Sequence, residues 1–130
     1  MTTPLGHEKL RVYQRALRFA SWVHNTIAAI GRRAAVEHLD GASESIVENI
    51  AIGNSRREAG DRKRYFEIAM GSGLESAACL DICCCLGLIG SETQIRGKEQ
   101  LVQIVRMLVG MRGYLDGQAQ EGKTKRKMRS

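Results

Sequence analysis

The stretch NIAIGNSRREAGDRKRYFEIAMGSGLE, Asn49–Glu75, decides how this chain folds. Before it, Leu39, Ala42, Ile46, Ile50 and Gly53 recur every three or four residues; after its middle, Phe66, Ala69, Gly73, Ala77, Leu80 and Cys84 do the same. That spacing places small and apolar side chains on one face of an α-helix. Between the two patterns lies only the polar run NSRREAGDRKR, short enough to be a tight connection between antiparallel helices. Asp61 stands where a carboxylate accepts from the free amides of a first helical turn.

Outward from this hairpin the same period continues. Leu10, Tyr13, Leu17, Ala20, Val23, Ile27 and Ile30 predict a first helix ended by Gly31, and Leu101, Ile104, Leu108, Met111 and Leu115 predict a fourth, with Ser91 or Thr93 as its cap. No strand-like alternation interrupts them, and the single proline is Pro4, so no helix interior is broken. The expected fold is all-α, an up-and-down antiparallel four-helix bundle over residues 1–116. Residues 117–130, without apolar periodicity, are expected to form a disordered basic tail. No run of about 18 apolar residues occurs, which is expected to exclude a membrane span. The N-terminus lacks the layout of a signal peptide, which points to the cytoplasm and no membrane partner.

Gly71 and Gly73 require an explanation, because each glycine inside a helix costs about 1 kcal/mol relative to alanine. Ala69, Gly73 and Ala77 form a strip of minimal side chains at four-residue spacing, and Ala42, Ser45, Asn49 and Gly53 form another on the preceding helix. Two such strips allow the second and third helices to approach closely. Ser45, Asn49, Ser72, Gly73 and Glu75 are therefore assigned to a polar structural seam between those helices.

The formal charge is +6, but it is unevenly spread. From Asn54 to Arg64, five basic residues (Arg56, Arg57, Arg62, Lys63 and Arg64) face two acids; from Gly117 on, Lys123, Lys125, Arg126, Lys127 and Arg129 face one. The remainder is close to neutral. The five basic residues of the first cluster and Lys123, Lys125, Arg126 and Lys127 of the second are the candidate nucleic-acid-binding residues, since phosphate binding needs concentrated Lys and Arg. Arg11, Arg15 and Arg18 make a basic stripe on the first helix, and Glu37, Glu44 and Glu48 an acidic one on the second; such opposed stripes are a candidate head-to-tail oligomer interface. Trp22, Val47, Ile52 and Val109 fall off the apolar stripes, which also points to a partner surface.

Cys79, Cys83, Cys84 and Cys85 crowd one helix, where neighbouring cysteines cannot meet disulfide geometry. His7, His24 and His38 are scattered, so no second ligand cluster supports a metal site. The cysteines read as small buried hydrophobes in a reducing compartment. The GSG triplet sits mid-helix with no strand before it and is not a phosphate loop. No nucleophile, base or cofactor signature converges, so the expectation is a non-enzyme without cofactors.

Three ordered segments carry a resemblance. HEKLRVYQRALRFA, SIVENIAIGNSRR and RYFEIAMGSGLES resemble the motifs of the four-helix-bundle family that includes proteins encoded within intervening sequences of bacterial 23S ribosomal RNA genes. The resemblance runs from His7 to about Leu88, with the fourth helix fitting by position. It implies a cyclic homo-oligomer, usually a pentamer. A related branch, the accessory protein of diversity-generating retroelements, implies a basic pentamer binding RNA or DNA and a reverse transcriptase. Two departures stand out: Ile52 replaces the family's usual glutamate, and Asp40 and Gly41 stand where basic residues begin the second helix. The reading is a ring-forming binding module acting through a basic turn and tail; the alternative is a protein-interaction scaffold ring without nucleic-acid binding.

Overall fold

The computed structural model describes residues 6–129. A 3₁₀ turn, Gly6–Lys9, leads into four helices: α1 (Arg11–Ile27), α2 (Ala34–Ser55), α3 (Ala59–Cys85) and α4 (Ser91–Arg129). No strand occurs among the described residues. Helix α2 packs on α3, α3 on α4, and α1 closes the ring against α2 and α4. Every neighbouring pair is antiparallel. Ser45 near the middle of α2 meets Ser72 in α3, whereas Gly53 near its end meets Phe66 at the start of α3. Likewise, Lys63 pairs with Asp116 while Leu80 lies against Gly97. The bundle is the up-and-down architecture expected from four amphipathic segments with short connections.

The core is a single column in which Phe19, Leu39, Ile46, Ile50, Phe66, Leu80, Ile104 and Leu108 are almost fully buried. Each such side chain contributes about 1.5–3 kcal/mol through removal from water. Helix α3 stops at a Schellman motif: Gly87, at φ +72°, lets its own amide reach Cys84 O and the Leu88 amide reach Cys83 O. By length and composition α3, with a mean hydropathy of 1.4 over its most apolar stretch, is long enough to cross a membrane, contrary to the expectation from sequence. In the bundle, about half of that apolar character is core, with Phe66, Ala69, Met70, Cys79, Leu80 and Cys83 all buried.

Two boundaries differ from the periodicity. Helix α1 ends at Ile27, before Gly31, because Ile30 turns back to bond Ile27 O while its side chain still packs on the core. Apolar spacing therefore outlasts the helix. Residues 117–129, expected to be irregular, instead continue α4 as helix. Missing periodicity removes tertiary packing, and this segment is indeed almost wholly exposed. It does not remove helix propensity, which Gln, Ala, Glu, Lys and Arg all supply.

The glycines separate into distinct roles. A Cβ on Gly53 would lie 2.8 Å from the Phe66 ring and 3.1 Å from Tyr65 Cβ, so Gly53 is where α2 and α3 touch. A Cβ on Gly97 would lie 2.9 Å from the indole of Trp22. Gly73 faces α4, not α2: its Cβ would meet Val105 Cγ2 at 3.3 Å. Gly71 is exposed with nothing within 4 Å. The seam forms from three of the five assigned residues. Ser45 and Ser72 hydroxyls share a 2.8 Å hydrogen bond, and Asn49 Nδ2 donates to Ser45 O and Oγ. Glu75 is exposed and stands outside it, as does Gly73.

These roles predict opposite signs for one chemical change. Gly53→Ala forces the Phe66 ring aside and lowers stability by about 1–3 kcal/mol, whereas Gly71→Ala stabilises by up to about 1 kcal/mol. Parallel urea melts of the two variants check the pair.

Candidate functional site

In an up-and-down bundle the start of α1, the α2–α3 connection and the end of α4 fall at one end. Here that end carries both basic clusters. Leu115 is the last buried residue of α4, and the helix then continues through Arg129, an overhang of about 20 Å at 1.5 Å per residue. Lys123, Lys125, Arg126, Lys127 and Arg129 are exposed along it. The Lys63 Nζ–Asp116 Oδ1 pair, at 2.8 Å, ties the base of the overhang to the beginning of α3.

Within the α2–α3 turn the five basic residues do different things. Tyr65 organises two of them: the Arg56 and Arg64 guanidinium carbons lie 5.0 and 5.7 Å from its ring centroid, and Arg56 Nη2 donates to its hydroxyl at 3.3 Å. Cation–π contact of this kind fixes guanidinium groups without neutralising them. Arg57 is exposed. Arg62 is half-buried, donating from Nη2 to Asn54 Oδ1 at 3.3 Å while its Nε is buried without a partner. Lys63 is held by Asp116, whose hydrogen bond and charge push the ammonium pKa above its ordinary 10.5. Its charge is thus already paired. Arg56, Arg57 and Arg64 form the outward-facing part of the cluster.

The opposed stripes also have definite places. Arg11 and Arg18 are exposed on the side of α1 nearest α4, and Arg15 between them donates to Gln103 Oε1 of α4. Glu37, Glu44 and Glu48 are exposed along the outer face of α2, and among the described residues no ion pair joins the two stripes. Of the four off-stripe apolar residues, Trp22 and Val47 pack on the core, Trp22 with its ring 6.0 Å from Phe19. Ile52 and Val109 remain exposed. A surface that the periodicity did not single out is the outer face of α3, where Ile68, Leu74 and Ile82 are exposed with Gly71 and Ala78 between them. Its signal was present in the sequence: α3 is apolar on more than one face.

Cys79 and Cys83 are buried, and burial pushes both thiols above their ordinary pKa, Cys79 further so through Glu75 and Cys83. A protonated, enclosed thiol is a poor nucleophile. Cys85 alone is exposed. Among the described residues no group of His, Cys, Asp and Glu is arranged to hold a metal ion.

A family model described as 23S rRNA-intervening sequence protein matches residues 8–110. Among solved structures, the chain is similar to a protein of unknown function from the S23 ribosomal protein family of Bacteroides thetaiotaomicron. The TM-score is 0.73 at 17% identity, covering 78% of this chain and 97% of that one. That likeness is one of fold. No curated protein matches the sequence.

The cysteine environments predict stepwise labelling. With an aromatic disulfide reagent at pH 8, Cys85 reacts in the native protein, and Cys79 and Cys83 react only on addition of denaturant, as counted by the thiolate released.

Proposed function

Because this chain belongs to the 23S rRNA-intervening sequence protein family, we propose that it is a non-enzymatic, ring-forming module that binds nucleic acid, or a nucleoprotein partner such as a reverse transcriptase, at its basic end. The observation that carries this reading is the convergence of two basic clusters, separated by more than fifty residues in sequence, on one end of the bundle. Phosphates neutralised there release counterions, so affinity comes mainly from charge and falls as salt rises. The Tyr65 stack supports it further, since Arg56 and Arg64 are held in place before any ligand arrives.

Ring assembly rests on surface chemistry. The acidic stripe of α2 lies beside exposed Ile52 and the apolar outer face of α3; Arg15 and Arg18 of the basic stripe lie beside α4, whose outer face exposes Ile95, Val102 and Val109. Unlike faces of this kind pair head to tail, and head-to-tail contacts that close make rings. The same faces support the second reading, a protein-interaction scaffold that binds no nucleic acid.

Sedimentation at micromolar concentration should give a mass well above the 14.4 kDa chain, about five-fold for a pentamer; a mass near that of one chain overturns the ring. For binding, the triple change Arg56→Glu, Arg57→Glu, Arg64→Glu should abolish affinity for single-stranded RNA or DNA while leaving the mass unchanged. Truncation after Gly117 should weaken it less, because Arg56 and Arg64 are fixed on Tyr65 and act together around the ring. The native protein should show a steep negative slope of log affinity against log salt. Absence of binding even near 50 mM salt favours the scaffold.

A further inference from the structure

A groove of about 600 Å³ opens at the basic end, between the starts of α1 and α3 and the last buried turns of α4. This lies in the range of about 300–1,000 Å³ typical of sites for small organic groups. Its floor is apolar, formed by Leu10, Val12, Met107 and Met111, with Phe66 and Leu115 beneath. Two cations, Arg11 and Arg62, stand in its wall and no carboxylate does. Arg11 is exposed, and Arg62 spends one nitrogen on Asn54. At the mouth, Tyr114 leaves most of its ring in solvent, 68% exposed, while Gln118 Nε2 donates to its hydroxyl at 2.8 Å and steadies it.

The groove thus complements an anion that carries a flat or apolar body. Its position narrows the choice. A lone carboxylate would be satisfied by two arginines, yet this groove lies at the same end of the bundle as the Arg56, Arg57 and Arg64 cluster and the cationic overhang of α4. A polymer with one phosphate and one apolar ring per unit matches both the groove and its surroundings. The geometry points to a nucleobase pocket: the groove receives an unpaired base of a single strand, stacked on Tyr114 and the thioether floor, while Arg11 and Arg62 meet its flanking phosphates. This rests on the reading of the basic end as a nucleic-acid grip and makes its ligand single-stranded.

Gly110 supplies a clean block. It lines the groove, is exposed, and a Cβ there meets nothing within 4 Å, so Gly110→Trp puts an indole in the groove wall and improves helix propensity. Tyr114→Ala removes the stacking ring without filling the groove. The probes are a short oligothymidylate and a strand of equal length made only of abasic sites, which carry matched phosphate charge. The native protein should bind oligothymidylate roughly ten-fold more tightly than the abasic strand, as one stacked base warrants. Both variants should lose that preference while keeping their affinity for the abasic strand and melting no lower than native. Equal binding of the two strands by native protein overturns the base pocket and leaves the phosphate grip standing. A preference that survives in both variants also overturns it, since the base is then read elsewhere. If neither strand binds, the grip itself fails and the pocket falls with it.

Discussion

The rest of the molecule depends on the contact between Gly53 and Phe66. Phe66 is 1% exposed, and its ring occupies the space where any other residue at position 53 would carry a Cβ. The contact sets how closely α2 and α3 approach and, with only three residues between them, the register of the turn. Asn54, the next residue, accepts from Arg62; Tyr65, the one before the ring, gathers Arg56 and Arg64. The electrostatic surface of the turn is thus built on a packing contact one residue away. Higher up the pair, the Ser45–Ser72 hydrogen bond continues the alignment in polar form, with Asn49 satisfying the same hydroxyl. This half-buried hydroxyl pair favours one register, because sliding by a turn would take the Ser45 hydroxyl away from the buried Ser72 hydroxyl.

Bundle topology then decides where charge goes. In an antiparallel four-helix chain the middle connection and the end of the fourth helix share an end. The basic turn and the basic overhang are therefore neighbours without any attraction between them. Lys63 and Asp116 add a local clasp, but both are substantially exposed, at 37% and 53%, and such a pair contributes little stability. Its effect is positional: it neutralises one cation of the turn and leaves Arg56, Arg57 and Arg64 as the cations turned outward. The opposite polarity appears on the flanks, where acidic α2 and basic α1 face different directions and do not satisfy one another within the chain.

Much of this was legible in the residues. The hairpin period in Asn49–Glu75 and its continuation on either side specify four helices, and the clustering of Arg56–Arg64 and Lys123–Arg129 marks the candidate site. The seam pair could be named because Ser45 lies on the small-residue strip of α2 and Ser72 stands next to the small-residue strip of α3. Glu75 could not be excluded from it, since spacing alone does not say which side of α3 a residue takes. Gly73 illustrates the same limit: it is a close-packing glycine, but its neighbour is Val105 of α4.

The sequence by itself determined the number of helices, their antiparallel order and the places where charge concentrates, because these follow from periodicity, loop length and local composition. Only the tertiary structure decided which face of each helix meets which neighbour, that residues 117–129 extend α4, that Lys63 is spent on Asp116, and that an apolar groove opens beneath Arg11 and Arg62. The helical extension rests on local propensity, which apolar periodicity does not register; the other three depend on the rotation of one helix about its axis relative to another. That angle is set jointly by all the side chains that must fill the core, and no single segment encodes it.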